Sequence, residues 1–325
     1  MNKNKIFSIA SDEDFRQIAL EVFNFQYENN KVYQKFCKLL KTDPEKVTQI
    51  DQIPFLPINF FKTETILSSE DEIQKTFTSS GTTGSNTSKH YVTELELYED
   101  SFNKTFEKFY GDIEDYAVLA LLPSYLERDG SSLIYMADHL IKASKHPVSG
   151  FYLDNLEELK QNLIELDSSG QKVLLIGVSF ALLDLVENYK FNLNNTIVME
   201  TGGMKGRRKE MIREELHKIL SDGFGVPTIH SEYGMTELLS QAYSNRNGVF
   251  ACPPWMKILI RDPEDALSYL AEGKTGGINV IDLANINSCS FIATQDLGKI
   301  QKDETIEILG RFDNSDIRGC NLMVL

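Results

Sequence analysis

The chain alternates between continuous apolar runs and segments in which apolar residues recur at helical spacing. Strands covered on both faces lack polar alternation, so three such runs predict buried strands: 116–123, 172–178 and 195–200. Helical spacing occurs within 11–43 and over 95–109, 131–143, 155–166 and 207–220. This alternation predicts an α/β fold of layered sheets, rich in parallel strands and covered by helices.

Two segments depart from this alternation. Residues 53–63, IPFLPINFFKT, combine two prolines with three phenylalanines and predict an extended aromatic connection. After Pro253, shorter apolar stretches separated by Gly and Asp turns predict a strand-rich C-terminal subdomain. We therefore expect an α/β core with a helical N-terminal segment over 1–250. The strand-rich subdomain would occupy 251–325 and end in a hinge-like segment and a short tail.

Composition and charge narrow the class of protein. With 325 residues and 42% hydrophobic composition the chain can bury a substantial core, and its net charge of −15 opposes nucleic acid or an anionic membrane as the main partner. The four cysteines are far apart and form no CxxC pair, so neither a zinc site nor a disulfide framework is indicated. The longest apolar stretch, 173–186, is too short to span a bilayer and the N-terminus lacks an apolar signal region. We expect a soluble, cytoplasmic protein.

Residues 76–92, TFTSSGTTGSNTSKHYV, concentrate hydroxyls and glycines ahead of one lysine. A loop that binds phosphate needs glycines for close backbone approach, hydroxyls as donors and a cation. The spacing is not that of a Walker A loop and no GxGxxG occurs, so an exposed turn is the alternative. The candidate phosphate-binding residues are Thr78, Ser79, Ser80, Gly81, Thr82, Thr83, Gly84 and Lys89.

The segment SEYGMTE, 231–237, offers groups that suit a nucleotide. Tyr233 can stack on adenine, and Gly234 lets the chain pass closely. The hydroxyl of Thr236 and the carboxylate of Glu237 are hard oxygen ligands that suit Mg²⁺. The ordinary alternatives are a core position for Tyr233 and a helix first-turn acid for Glu237.

Two later segments supply ribose and phosphate contacts. In TQDLGKI, 294–300, Asp296 is placed to accept hydrogen bonds from ribose hydroxyls. In GRFDNSDIRG, 310–319, Arg311 offers a fork of donors for ribose or phosphate. A turn-forming role for Asp296 and a surface ion pair for Arg311 are the ordinary alternatives.

Taken in order, these motifs resemble those of the adenylate-forming superfamily, which includes acyl-CoA synthetases, firefly-type luciferases and peptide-synthetase adenylation domains. The resemblance implies that ETGGMKG, 200–206, forms an adenine-contacting turn through Gly202 and Gly203. It also implies the large-domain fold of that superfamily, with ATP and Mg²⁺ as cofactors. The reaction would be attack of a carboxylate on the α-phosphate of ATP, giving an acyl-adenylate and pyrophosphate.

The sequence departs from this superfamily at its C-terminal end. Usual members continue into a small domain with a catalytic lysine, whereas this sequence ends 14 residues after Arg311, so we expect that domain to be absent. Cys320 follows Arg318 and Gly319, and a neighbouring guanidinium favours the nucleophilic thiolate. A buried, unreactive cysteine among the apolar residues of the tail is the other interpretation.

The Arg-Gly-Cys ending, with PFLPINFFKT, TSSGTTG, ETGGMKG, YGMTE and IDLAN, resembles the LuxE-type acyl-protein synthetases. This resemblance implies that a fatty or aryl acid is activated as its adenylate and that the acyl group passes to Cys320. From there it would go to a partner protein, a reductase or a carrier. The candidate catalytic residues are then Cys320, Lys89, Thr236, Glu237 and His230.

Three points stay open in the sequence. A phenylacetate-type ligase would use free coenzyme A as acceptor and leave Cys320 structural, and a non-catalytic nucleotide-binding module would perform no reaction. His230 has no second ligand pair at metal spacing, so we expect a hydrogen-bonded histidine that lines the carboxylate pocket, with Glu237 as the candidate metal ligand. No pattern in the sequence indicates the length of the acyl chain or the oligomeric state.

Overall fold

The computed structural model describes residues 3–79, 87–123, 130–202 and 211–311. Within these ranges, short 3-10 turns at Lys3–Ser8, Pro44–Lys46, Ile50–Gln52, Ile113–Asp115 and Leu283–Asn285 accompany the α-helices. The α-helices are α1 Asp12–Asn29, α2 Lys31–Leu39, α3 Phe60–Thr63, α4 Leu95–Tyr110, α5 Ser132–Ser144, α6 Leu156–Ser169, α7 Ser179–Asn188 and α8 Arg213–Phe224.

The strands of the described residues fall into a hairpin and two larger sheets. The first ten are β1 Leu56–Pro57, β2 Lys75–Thr78, β3 Lys89–Val92, β4 Tyr116–Leu121, β5 Gly150–Phe151, β6 Lys172–Gly177, β7 Thr196–Glu200, β8 His230–Tyr233, β9 Ala242–Ser244 and β10 Val249–Phe250. The remaining four are β11 Met256–Arg261, β12 Gly276–Asp282, β13 Phe291–Ile300 and β14 Ile306–Arg311.

The chain divides into two compact units. The first combines residues up to Glu72 with residues from Pro254, and the second is Ile73–Pro253. The units change at Pro253, and the expected domain division at residue 250 stays a prediction. The N-terminal segment differs from expectation, because it falls with the C-terminal strands and not with the α/β core.

The first unit is built on an antiparallel sheet. Strands β11, β12, β13 and β14 pair in sequence order, as the Gly- and Asp-punctuated pattern predicted. The N-terminal segment joins this sheet because β1 runs parallel to β13, with Leu56 opposite Ile292. Part of the predicted extended connection is therefore a strand, whereas its end, Phe60–Thr63, forms the short helix α3.

A buried glutamine on α1 fixes this helix against the C-terminal part of the same unit. The side-chain nitrogen of Gln26 donates to the backbone oxygens of Asn285 and Ile286, at 3.1 and 2.8 Å, and lies 3.2 Å from Ser290 Oγ. Its side-chain oxygen accepts from the backbone nitrogen of Ser290 at 3.0 Å. Because Gln26 is fully buried, these bonds satisfy backbone groups that water cannot reach.

The second unit contains the predicted parallel sheet. Its order is β5-β4-β6-β7-β8-β9, with every neighbouring pair parallel except the antiparallel β8 and β9. Strand β4 is buried along its whole length, which explains its unbroken apolar sequence. The carboxyl ends of β6, β7 and β8 meet at one edge of the sheet, where ligands of open α/β sheets characteristically bind.

The helices around this sheet agree with the predictions for 95–109, 131–143 and 155–166. Helix α8 begins at Arg213; its predicted start at 207 lies outside the described residues. Helix α7 was not predicted, and together with β6 it accounts for the long apolar stretch over 173–186. No helix within the described ranges is both long and apolar enough to cross a membrane.

Replacing Gln26 with Ala is expected to lower the free energy of unfolding by about 2–3 kcal/mol, because backbone groups at 285–290 would lose buried partners. Urea unfolding measures this change. Gln17→Ala on the exposed side of the same helix is the matched control and should cost under about 0.5 kcal/mol. Equal losses in the two variants would contradict the role of Gln26.

Candidate active site

The Ser/Thr/Gly run is carried by the hairpin of β2 and β3. Thr78 lies directly opposite Lys89, and Lys89 is exposed. Ser79 and Ser88 extend the pairing: the Ser79 amide donates to the Ser88 carbonyl at 3.1 Å, and the Ser88 amide to Ser79 Oγ at 3.0 Å. The hairpin thus places hydroxyls and an ammonium at one end. The remaining candidates, Ser80, Gly81, Thr82, Thr83 and Gly84, lie outside the described residues.

A glycine that the sequence reasoning missed supports this end of the hairpin. The Thr78 amide donates to the carbonyl of Gly130 at 2.7 Å. Gly130 has φ +91°, and a Cβ there would lie 2.9 Å from Thr78 Oγ1. Only glycine fits without strain, because it tolerates positive φ and leaves room for the threonine. The sequence RDGSS is typical of an ordinary turn, so nothing in the sequence indicates that Gly130 supports the hairpin.

His90 joins the hairpin to the segment that contains Thr236. Its Nδ1 lies 2.8 Å from the backbone oxygen of Thr236, and the side chain is 1% exposed. Because a carbonyl only accepts, Nδ1 carries the proton and donates. His90 directly follows Lys89, so this bond holds the lysine's strand against the Thr-Glu pair. Sequence reasoning quoted His90 in the run but gave it no role.

The segment 233–237 begins at the carboxyl end of β8. Tyr233 is largely buried, with its ring 6.1 Å from that of Phe250. A Cβ on Gly234 would meet a carboxylate oxygen of Glu232, so a larger residue there would have to displace that side chain. Thr236 is partly buried and Glu237 is buried. The predicted hydroxyl and carboxylate are thus adjacent on a turn beside the sheet edge.

A buried carboxylate that sequence reasoning left without a role lies at the end of β7. Glu200 Oε2 accepts from Ser179 Oγ at 3.1 Å and from the amide of Gly202 at 2.6 Å. Its Oε1 lies 3.6 Å from Arg213 Nε and 3.5 Å from His217 Nε2. Both carboxylate oxygens therefore have partners.

These partners decide the charge of Glu200. Burial alone would raise the pKa of this carboxyl, but the hydrogen bond from His217 and the positive charge of Arg213 outweigh it and lower the pKa below its ordinary value. Glu200 is therefore ionised and fixes the amide of Gly202, which has φ +73°. Its neighbour Gly203 lies outside the described residues. The only linear signal for Glu200 is its place at the start of ETGG.

His230 lies on β8 beside an aromatic residue of α4. Its Nδ1 is 3.3 Å from the hydroxyl of Tyr110, and the two rings are 5.6 Å apart. Burial, with a smaller contribution from the charge of His217, lowers the pKa of His230 to about 4. The imidazole is uncharged at neutral pH, and its hydrogen bond to Tyr110 agrees with the expected hydrogen-bonded histidine.

Glu232, two residues further along β8, is a second carboxyl that sequence reasoning assigned no role. Burial raises its pKa to about 8, and the negative charge of Glu200 contributes less. In the sequence it is one acidic residue before a motif, which carries no sign of an unusual environment.

The expected ribose residues lie in the first unit. Asp296 on β13 is directly opposite Arg311 on β14, and Arg311 Nε lies 3.6 Å from Asp296 Oδ1. The Arg311 side chain is 82% exposed, so it forms the surface ion pair that the sequence left as the ordinary alternative. The Asp296 amide donates to Thr294 Oγ1 at 3.1 Å, and Asp296 lies within the continuous strand β13, so the turn that was the ordinary alternative for it is not formed.

Three cysteines fall within the described residues, and two of them are unreactive. Burial raises the pKa of both Cys37 and Cys289 to about 12, so their thiols stay protonated. Cys252 is partly exposed. Cys320 lies outside the described residues.

Solved structures share this fold. The structure is similar to ATP-bound MatB from Rhodopseudomonas palustris, with a TM-score of 0.55 and 19% identity over 75% of this chain. It is also similar to 2-hydroxyisobutyryl-CoA ligase bound to an acyl-adenylate, with a TM-score of 0.69 and 11% identity over 93% of this chain. The chain spans 49% of the length of MatB and 68% of that of the second ligase. The predicted α/β fold of the adenylate-forming ligases is confirmed.

The chain belongs to the LuxE acyl-protein synthetase family, whose model matches residues 6–95 and 132–325. It is 25% identical to the long-chain-fatty-acid–luciferin-component ligase of Vibrio harveyi, over 92% of this chain and 84% of the relative. The Aliivibrio fischeri ligase of the same name is 23% identical, over 99% and 91%. The predicted enzyme class, an adenylate-forming ligase, is confirmed.

The depressed pKa of His230 predicts acid sensitivity. Below pH 6.5 an unfolded chain protonates this histidine while the native state does not, so stability present above 6.5 is lost as pH falls toward about 4. Relative to His230→Asn, the wild type should lose up to about 3 kcal/mol of unfolding free energy over that window. Urea unfolding of both proteins at each pH measures the difference. Parallel pH profiles would contradict the assignment.

Proposed function

We propose that this enzyme uses ATP to convert a fatty or aryl carboxylic acid into its acyl-adenylate and then transfers the acyl group to a thiol. The first acceptor is Cys320, and the final one is a thiol of a partner protein. The observation that supports this most is the partly buried hydrogen bond from His90 to Thr236. It joins the strand of the phosphate-loop lysine to the Thr-Glu pair across 146 residues of sequence.

In this proposal the second unit binds the nucleotide. The hydroxyls of Thr78 and Ser79 and the ammonium of Lys89 face the phosphates, together with Ser80, Gly81, Thr82, Thr83 and Gly84. Tyr233, Gly234, Gly202 and Gly203 contact the adenine. Asp296 and Arg311 are the proposed ribose contacts, and the exposed ion pair between them would cost little to break, since exposed ion pairs contribute about 0–1 kcal/mol.

The residues of the Thr-Glu pair, Thr236 and Glu237, fit a Mg²⁺ ion that is shared with nucleotide phosphates. Among the described residues, no group of three or more His, Cys, Asp or Glu side chains is arranged to hold a metal. Glu237 is a single buried carboxylate beside the Thr236 hydroxyl. Mg²⁺ is commonly held by one or two carboxylates together with nucleotide phosphates, so Glu237 and Thr236 would hold it with ATP. When bound, the ion would neutralise phosphate charge.

The first step joins two anions. A carboxylate oxygen of the acid attacks the α-phosphorus, a new phosphorus–oxygen bond forms, and the bond to the bridging oxygen breaks with its electron pair leaving on pyrophosphate. Lys89 offsets the negative charge that builds on the phosphates. His230 is uncharged at neutral pH, so it orients the acid by hydrogen bonding without neutralising it.

The second step is thioester formation. The thiolate of Cys320 attacks the acyl carbon, the carbon–sulfur bond forms, and AMP leaves with the electrons of the carbon–oxygen bond. The protonated thiols of Cys37 and Cys289 are unsuited to this attack. Transfer onward to a partner thiol exchanges one thioester for another and needs no further energy source.

Glu237→Gln should lower the rate of acid-dependent pyrophosphate release by about 100-fold or more, because an amide is a poor Mg²⁺ ligand. Raising the Mg²⁺ concentration should recover part of the loss. Glu165→Gln, on the exposed face of α6, is the matched control and should leave the rate unchanged. An undiminished rate in Glu237→Gln would remove Glu237 from the site.

Cys320→Ser should abolish the acyl mass added to the intact protein after incubation with ATP, Mg²⁺ and a suitable acid, while pyrophosphate release continues. Cys252→Ser is the matched control, because Cys252 is the partly exposed cysteine of the described residues, and it should load normally. If the wild type gains no acyl mass but forms acyl-CoA when coenzyme A is added, the acceptor is free coenzyme A. If none of the acids in a broad panel causes pyrophosphate release, acid activation itself is contradicted.

A further inference from the structure

The carboxyl of Glu232 occupies an aromatic face of the parallel sheet. Side chains alternate along a strand, so His230 and Glu232 lie on one face of β8 while Ser231 and Tyr233 lie on the other. In the pairing with β9, Glu232 is directly opposite Tyr243. Residues paired in this way share a face, so Glu232 and Tyr243 are neighbours.

Helix α4 supplies further rings to this face. The ring of Tyr110 lies 5.3 Å from that of Tyr243 and 5.6 Å from that of His230. Phe109 contacts Tyr243 as well, at 5.6 Å between ring centroids. Glu232 therefore projects among rings and not into bulk solvent, although part of its surface stays accessible.

The side chains of Glu232 and Gln241 both lie beside Gly234, but they form no hydrogen bond with each other. The carboxyl of Glu232 forms no hydrogen bond or ion pair with the residues that the structure describes, and an oxygen of it lies against Gly234. The stem of Gln241 is 3.3 Å from the position of a Cβ on the same glycine, and its Oε1 is buried without a hydrogen-bond partner in the described chain. Buried polar groups in native proteins have partners, so the oxygen of Gln241 points to a ligand beside Gly234, where the partly accessible carboxyl of Glu232 also lies.

The surroundings keep Glu232 uncharged. The titratable groups around it are Tyr98 and Tyr110 of α4, His230 of β8 and Tyr243 of β9, while the charge of Glu200 on β7 acts from the opposite face of the sheet. None of these groups is cationic at neutral pH, since the pKa of His230 is lowered to about 4. Burial therefore dominates, and at neutral pH Glu232 is a carboxylic acid that can donate a hydrogen bond.

We propose that Glu232 determines substrate specificity by donating a hydrogen bond to an uncharged oxygen on the acyl part of the acid. His230, which is proposed to orient the acid, lies on the same face of β8 as Glu232, so an acid bound at His230 would have part of its acyl chain near Glu232. This inference rests on the proposed acid activation. It makes the preferred substrate an oxo, ether or hydroxy acid instead of an unsubstituted fatty acid.

The test is acid-dependent pyrophosphate release with acids matched in length, unsubstituted or carrying an oxo, hydroxy or amino group near the carboxyl, in mid-chain or at the far end. The wild type should prefer an oxo or hydroxy acid by about ten-fold in kcat/KM. Glu232→Leu should abolish or reverse that preference. Glu232→Gln should retain it, because an amide also donates. Glu165→Leu on α6 is the control and should leave the preference unchanged.

A pH profile gives a second measurement that does not depend on the folding of the leucine variant. A ketone only accepts, so the wild-type preference for the oxo acid should fall as pH rises through about 8, while Glu232→Gln keeps its preference. A change in packing alone would not produce this difference.

Three outcomes would overturn the inference. Equal turnover of substituted and unsubstituted acids by the wild type would do so. A preference for the amino-substituted acid would also do so, because its ammonium group would favour the ionised form of Glu232. So would a preference that survives in Glu232→Leu. Failure of the proposed function is distinguishable, because then no acid at all releases pyrophosphate.

Discussion

The parallel pairing of β6, β7 and β8 is the constraint on which the candidate site of the second unit depends. Parallel strands end at a common edge, so the glycine turn at Gly202 and the turn at Gly234 lie side by side although 32 residues separate them. The hairpin with Lys89 does not belong to this sheet. The bond from His90 to Thr236 links the hairpin to the sheet edge, and with it the proposed phosphate ligands to the proposed metal ligands.

The sequence predicted those parts of the fold that have their own periodicity. Strands β4, β6 and β7 are unbroken apolar runs, and α4, α5 and α6 have clear polar faces. Helix α7 escaped prediction because it is buried along most of its length, so it lacks a polar face and continues the apolar run of β6. The grouping of the N-terminal segment with the C-terminal sheet was also unpredictable, since it depends on long-range contacts such as Leu56 with Ile292.

The candidate site likewise contains some residues that the sequence predicted and others that it did not. Tyr233, Gly234, Thr236 and Glu237 stand together in a motif, and the structure places them on one turn at the sheet edge. Their supporting residues are scattered, because a supporting group is defined by what it touches. His90 and Gly130 act through hydrogen bonds that involve backbone atoms, and residue type alone does not indicate such a role. A residue-by-residue reading therefore finds ligands more easily than the groups that position them.

The two carboxyls of neighbouring strands show how far local environment decides chemistry. Glu200 and Glu232 are both acidic residues at the ends of buried strands, and their sequences give no reason to treat them differently. Glu200 points to the face with Arg213 and His217 and is ionised, whereas Glu232 points to the face of Tyr110 and Tyr243 and is protonated at neutral pH. Opposite pKa shifts in adjacent carboxyls assign opposite roles, an acceptor that fixes backbone and a donor available to a ligand. The alternation of side chains along β7 and β8 produces this division, so a one-residue shift in either strand would move its carboxyl to the opposite face and into the other environment.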